Sequence, residues 1–140
     1  MSKAAVVYWS GTGNTEIMAQ KVAEGAKEVG LEVAVFTAAE FDGGMMDDFD
    51  AVAFGCPSMG AEELEETEFE PMFSGCRGKL SGKKIALFGS YGWGDGEWMR
   101  NWETECIAGG AVMAADFVIC CETPDADAEA ACIALGKALA

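Results

Sequence analysis

The stretch "AAVVYWSGTGNTEIMAQKVAEGAKEV", Ala4 to Val29, decides how this chain folds. Ala4 to Trp9 is a short run of alanine, valine and aromatic residues, the composition of a strand buried on both faces. From Glu16 the period changes. Met18, Val22, Ala26 and Val29 recur at helical spacing, and Gly30 supplies the stop. Between strand and helix, Ser10 to Thr15 offers two glycines, three hydroxyls and an amide, with no lysine or arginine before Glu16.

Outward from this unit the same alternation continues. Glu32 to Thr37, Ala51 to Gly55, Lys84 to Ser90 and about Val112 to Cys121 read as four further strands. Helices are expected from about Glu97 to Ala108 and from about Ala126 to the end, the latter with Ala128, Cys132, Leu135 and Leu139 on one face. The acidic stretch up to Cys76 reads as partly helical. Ala38 to Asp50 stays unassigned, because Gly43-Gly44 weakens any helix there. Parallel strands need crossover connections, so the pattern predicts a five-stranded parallel α/β sheet with helices on both faces. Right-handed crossovers leave two doubly wound families. In both, ligands sit at the carboxyl ends of the strands, where Ser10 to Thr15, Cys56 to Glu62 and Ser90 to Gly96 should converge.

The 140 residues, 51% hydrophobic and 24% charged, suit a single domain spanning 1–140. Nine Lys+Arg against 24 Asp+Glu give a formal net charge of −15. Such a chain repels nucleic acid and anionic membrane and is drawn to basic protein faces, although solubility alone accounts for part of the excess. "MSKAAVVYW" commits to a strand too soon for a signal peptide, and the longest apolar run, Ala111 to Cys121, is broken by Asp116. Six cysteines form no C-x-x-C pair, and there is no histidine to complete a mixed metal site. They read as reduced, mostly buried small hydrophobes of a cytoplasmic protein.

The first loop excludes two phosphate chemistries. Glu16 stands where a dinucleotide fingerprint has its third glycine, and no Gly-Lys-Ser/Thr follows to make a nucleotide-hydrolase loop. What remains is a nest of backbone N–H groups at a helix N-terminus, reinforced by Ser10, Thr12, Asn14 and Thr15. Phosphoryl transfer needs cations to neutralise developing charge. An uncharged cradle suits a monophosphate that anchors a ligand. Alone, the loop also reads as a tight strand-to-helix connection.

Three stretches carry a family resemblance. "SGTGNTE" (Ser10 to Glu16) resembles the phosphate loop of flavodoxins, small electron-transfer proteins that bind flavin mononucleotide (FMN). "GCPSMGAEELEE" (Gly55 to Glu66) and "LFGSYGWGDGEWM" (Leu87 to Met99) resemble that family's two other flavin loops, in the expected order. The unbroken fifth strand is similar to the short-chain branch, and the Met-Gly and Tyr-Gly-Trp-Gly loops to its clostridial-type members. The resemblance implies strand order 2-1-3-4-5, for which flavodoxin is a type example. It also implies a low-potential one-electron carrier, not an enzyme in the strict sense, working as a monomer between redox enzymes. Its FMN would cycle chiefly between semiquinone and hydroquinone, and its partners would be basic faces of ferredoxin- or flavodoxin-type reductases and acceptors.

Residue by residue, the resemblance places Trp9, Ser10, Gly11, Thr12, Gly13, Asn14 and Thr15 at the cofactor, chiefly at its phosphate. Pro57, Ser58, Met59, Gly60, Ala61 and Glu62 form the second loop, with Met59 packed on one ring face and Glu62 near flavin N3–H. Ser90, Tyr91, Gly92, Trp93 and Gly94 form the third, with Trp93 stacked on the other face and the Gly92 N–H at the O2 edge. A flat, apolar ring needs such slabs, and an aromatic and a thioether supply dispersion contacts. The peptide after Gly60 is implied to turn over on one-electron reduction, presenting its carbonyl to N5–H. Glycine suits this because one of the two conformations requires positive φ. Pro57 stands where some relatives carry a phosphate-binding serine, and Ala61 where some carry aspartate, so one donor and one tuning side chain are missing.

Six glutamates from Glu62 to Glu70 read either as a field that disfavours an anionic reduced ring or as a solvated helix face. Two rival functions follow from the same winding. An FMN-dependent reductase of quinones or similar acceptors would need a nicotinamide site. A phospho-signalling receiver would need acidic residues where Trp9-Ser10 and Gly55-Cys56 stand, and is rejected.

Overall fold

The computed structural model describes residues 2–59, 63–92 and 94–140. Strands β1 (Lys3–Tyr8), β2 (Glu32–Thr37), β3 (Ala51–Gly55) and β4 (Lys84–Tyr91) lie parallel in the order β2-β1-β3-β4. Ala4 to Val7, Val52 to Phe54 and Ile85 to Phe88 are fully buried. That is why the central strands read as unbroken apolar runs, whereas β2, at the edge, is exposed at Glu32, Val35 and Thr37.

The fifth strand is not the single element the sequence suggests. β5 (Val112–Met113) and β6 (Val118–Cys121) both pair with β4 in parallel. Ile85 pairs with Met113 and Phe88 with Val118, so three steps along β4 face five along the edge. The two surplus residues leave the ladder in a bend that exposes Ala115 and Asp116, while the Ala114 N–H still reaches the Ile85 carbonyl at 2.8 Å. An edge strand tolerates such a bulge because its outer side is unpaired, and the bulge carries the Asp116 charge into solvent.

Residue size divides the two faces of the sheet. Ala4, Ala51, Ala53 and Ala86 form a shallow floor for α1 (Asn14–Glu28) and α4 (Ala126–Lys137), packed through Met18, Val22, Ala26, Cys132 and Leu135. Val29, expected on the same stripe, is 42% exposed; the buried face of α1 ends at Ala26. The opposite face is aromatic. Phe54 meets Phe73 at 5.1 Å between centroids, and Trp102 stands edge-on to Phe69 and Phe73, joining α2 (Phe69–Cys76) to α3 (Glu97–Ala108). The segment the sequence left unassigned forms two 3-10 turns, Ala38–Glu40 and Gly43–Asp48. Asp42 caps the second through the Met45 N–H, so Gly43-Gly44 opens a turn instead of interrupting a helix.

Helices α1 and α4 approach at two glycines. A Cβ on Gly25 would lie 1.9 Å from the Ile133 carbonyl oxygen, and one on Gly136 would lie 1.9 Å from that of Val22. Backbone cannot yield as a side-chain tip does. Gly136→Ala should therefore destabilise by at least about 2 kcal/mol despite alanine's better helix propensity. Gly78→Ala, whose Cβ would meet nothing within 4 Å, should be close to neutral. Denaturant midpoints of the two variants check this; equal midpoints would mean that the helices separate at little cost.

Candidate functional site

Hydrogen bonds carry the strand register past the strand ends and bring the loops together. The Trp9 N–H reaches the Gly55 carbonyl at 3.0 Å, Cys56 reaches Phe88 at 3.1 Å, Ser58 reaches Ser90 at 3.0 Å, and Glu122 reaches Tyr91 at 2.7 Å. They border a cleft of about 450 Å³. The first loop contributes Trp9, Gly11, Thr12 and Asn14; the second Pro57, Ser58 and Met59; the third Ser90, Tyr91 and Gly92. Ser10 and Gly13 line a neighbouring hollow of about 410 Å³, separated by Trp9, which borders both. Thr15 lies buried beneath the start of α1, and Gly94, with φ 83°, borders neither hollow. Gly60, Ala61, Glu62 and Trp93 are outside the described residues.

The phosphate-loop geometry begins with Gly13, whose φ of 94° turns the chain into α1 without a side-chain cap of its own. Ser10 serves instead: its Oγ accepts from the Gly13 N–H at 3.1 Å and the Glu16 N–H at 3.3 Å. The hydroxyl hydrogen of Ser10 remains available to an anion. The N–H groups of Gly11, Thr12, Asn14 and Thr15 have no acceptor among the described residues. Thr15 is 1% exposed, and its Oγ1 is buried without a partner. Ser58 Oγ, in the second loop, is in the same condition. No basic side chain lines the cleft among the described residues. Unpaired donors at a helix start, a buried unmet hydroxyl and no cation fit a phosphate held by hydrogen bonds and the helix dipole.

A fourth loop takes part that the sequence reading missed. Glu122 and Thr123 line the cleft because β6 runs directly beside Phe88 to Tyr91 and ends there. Glu122 has φ 58°, held by its N–H on Tyr91 and by Ser90 Oγ donating to its carbonyl at 2.6 Å. Thr123 Oγ1 donates to Asn14 Oδ1 at 3.3 Å, leaving the amide nitrogen of Asn14 as a donor. The signal lay in topology: a strand pairing with β4 must end beside the loop that follows β4.

The second loop is held from behind. Met59 and Glu63 exchange two backbone hydrogen bonds of 2.8 Å, and the Glu65 N–H contacts Cys56 Sγ. Trp98 Nε1 donates to the Cys56 carbonyl at 3.2 Å, and its ring packs on Tyr91. The acidic stretch is thus not one solvated surface. Glu65 is 5% exposed and accepts from the N–H groups of Thr67 (2.8 Å), Glu68 (2.7 Å) and Phe69 (2.9 Å), and from the Thr67 hydroxyl. Glu68 accepts from Trp9 Nε1 at 3.1 Å, and Glu70 pairs with Arg77. Glu63 and Glu66 are the exposed carboxylates of the stretch without a partner among the described residues. Burial opposes the Glu65 charge, but the hydrogen bonds from Thr67, Phe69 and Glu68 outweigh it and hold the carboxyl below its ordinary range.

The six cysteines are all unpaired; Cys56, Cys76, Cys106 and Cys132 are buried, and burial raises the thiols of Cys106 and Cys132 to about 12. Among the described residues no group of three or more His, Cys, Asp or Glu could hold a metal ion, and no helix is long and apolar enough to cross a membrane.

Comparison with known proteins gives a consistent match. The family model described as Flavodoxin matches residues 6–136. The flavodoxin of Clostridium beijerinckii is 46% identical over 135 residues, covering 96% of this chain and 97% of that one. That of Megasphaera elsdenii is 44% identical over 138 residues, covering 96% of both. The solution structure of two-electron reduced Megasphaera elsdenii flavodoxin superposes with a TM-score of 0.89 at 42% identity, over 97% of both chains.

Glu65 anchors the second loop to the start of α2, and Glu65→Gln removes a charged acceptor while introducing donors that face donors. At neutral pH the variant should lose about 2 kcal/mol. The depressed carboxyl stabilises the fold above the ordinary carboxylate range and ceases to do so as pH falls through its folded value. The gap between wild type and variant should therefore close in acid. Denaturation curves from pH 7 to pH 3 test this, and a gap that stayed constant would assign the loss to shape instead of charge.

Proposed function

The chain belongs to the flavodoxin family, and from that premise we propose that it is a low-potential carrier of single electrons that binds FMN non-covalently. Flavodoxins are FMN-binding electron-transfer proteins; bound FMN supplies the redox chemistry, and the protein supplies anchorage, orientation and field. The observation that carries the reading is the start of α1. Four N–H groups and the buried Thr15 hydroxyl lack a partner there among the described residues, and no basic side chain among them lines the adjoining cleft. A phosphate monoester used as a handle supplies the acceptors they lack.

The remaining roles follow the family. Met59 and Trp93 cover the two faces of the ring, Glu62 addresses N3–H, the Gly92 N–H addresses O2, and the peptide after Gly60 turns to accept from N5–H. Met59 bordering the cleft beside Tyr91 and Gly92 supports that side of the arrangement. Cycling runs chiefly between semiquinone and hydroquinone, because fixed negative charge disfavours an anionic reduced ring. Glu65 is buried but ionised and still adds to that field, whereas the docking of basic redox partners falls to exposed carboxylates such as Glu63, Glu66 and Glu68. The protein works as a monomer, as the resemblance implies, and in the cytoplasm, for which six unpaired cysteines are the support.

Thr15→Val keeps the shape of the side chain and removes a hydroxyl that has no partner among the described residues. Calorimetric titration should show FMN weakened about tenfold, the worth of one hydrogen bond to a charged group, with riboflavin unchanged within twofold. Equal losses for both ligands, or no preference of the wild type for FMN over riboflavin, would contradict the assignment of this loop to phosphate.

A further inference from the structure

Sulfur gathers on the alanine-floored face of the sheet. Side chains alternate along β6, so Ile119 packs into the aromatic core while Val118 and Cys120 pack toward α1 and α4. There Cys120 Sγ lies 3.7 Å from Met18 Sδ on α1. Cys132, on α4, belongs to the same cluster, close enough that Cys120 adds to the rise that burial imposes on its thiol. Three sulfurs from three elements thus share one cluster, beside two helices fixed by their close approach at Gly25 and Gly136. Met18 and Cys132 are sealed from solvent, whereas Cys120 is partly exposed and opens a way in. Cys76 offers a contrast. Its Sγ lies 3.8 Å from Met72 Sδ, but both sit on α2 and Cys76 is sealed inside the aromatic core.

The donor types select the ligand. Methionine widens the set beyond the His, Cys, Asp and Glu groups that hold harder ions, and thiolate with thioether is the combination that soft Cu(I) prefers. Zinc asks for four ligands in a tetrahedron, which two cysteines and a methionine do not supply. Three sulfurs sharing one ion in a plane, each at about 2.3 Å, stand about 4 Å apart. The Cys120–Met18 separation already approaches this. We propose that Met18, Cys120 and Cys132 form a three-sulfur site for a soft monovalent cation, Cu(I). The ion enters past Cys120, both thiols release their protons to solvent, and two thiolates and the thioether close round it. Copper and sulfur keep their oxidation states throughout. The bound ion ties β6 to α1 and α4, separately from anything held in the cleft.

Anaerobic titration of the FMN-loaded protein with Cu(I), in competition with a chromophoric Cu(I) chelator, tests the site. Cys121→Ser removes the exposed thiol and serves as the parent. The parent should hold a single equivalent of Cu(I). Cys120→Ala and Cys132→Ala should each weaken binding at least about a hundredfold, and Met18→Leu about tenfold. Met72→Leu, the same change beside Cys76, should leave binding unchanged. Copper-edge X-ray absorption on the parent needs no core variant and should show a shell of sulfur alone at about 2.3 Å. Failure to retain Cu(I), equal losses from Met18→Leu and Met72→Leu, or a shell containing nitrogen or oxygen would each overturn the proposal and leave these sulfurs as packing.

Discussion

The unpaired N–H groups at the start of α1 are the constraint on which the rest of the structure depends. A buried strand delivers the chain to this point, Gly13 turns it, and Ser10 satisfies two of the exposed donors. The remaining donors have no acceptor among the described residues, beside a threonine whose hydroxyl is also unmet there. Thr15 is the buried member of this set, and leaving a buried polar group without a partner costs roughly 1–3 kcal/mol. Gly11 and Thr12, which carry two of the N–H groups, are exposed beside it at the carboxyl edge of the sheet. An anion would supply acceptors for these donors, and no basic side chain lines the adjoining cleft among the described residues.

The division of the sheet into a shallow face and an aromatic face serves that site. Alanines under α1 and α4, with Gly25 and Gly136 between the helices, fix α1 closely against the strands, so its N-terminus is held by rigid packing. The aromatic face does the same for the second loop. Phe69 and Trp98 lie in the large core, and each is joined to that loop by a hydrogen bond, Phe69 through the Glu65 carboxylate and Trp98 through the Cys56 carbonyl. Trp9 spans the two systems, leaving the phosphate loop and donating to Glu68 just ahead of α2. The two halves of the site are therefore positioned by different cores and coupled through one indole.

Most of this was legible in the sequence for a physical reason: strands buried on both faces read as apolar runs, and glycine-rich loops between strand and helix have few other uses. The stretches 10–15, 57–59 and 90–92 stand where β1, β3 and β4 finish, at one end of the sheet. What escaped depends on tertiary context. The bulge between Met113 and Val118 follows from pairing with β4, which apolar content does not encode. Glu65 and Glu68 have the composition of solvent-facing charge, and only the fold shows one inside a ring of backbone donors and the other on Trp9. Glu122 and Thr123 resemble the start of a helix cap, and their place at the cleft emerges once β6 is aligned with Tyr91.

The central claim is that this chain makes bound FMN a carrier of one electron at a time. Stepwise reduction of the FMN-loaded protein under anaerobic conditions, followed by absorbance against potential, tests it most directly. Two well-separated one-electron steps should appear, with a blue neutral radical accumulating between the yellow oxidised and the pale fully reduced forms. A single two-electron transition, with no radical at any point of the titration, would contradict the account.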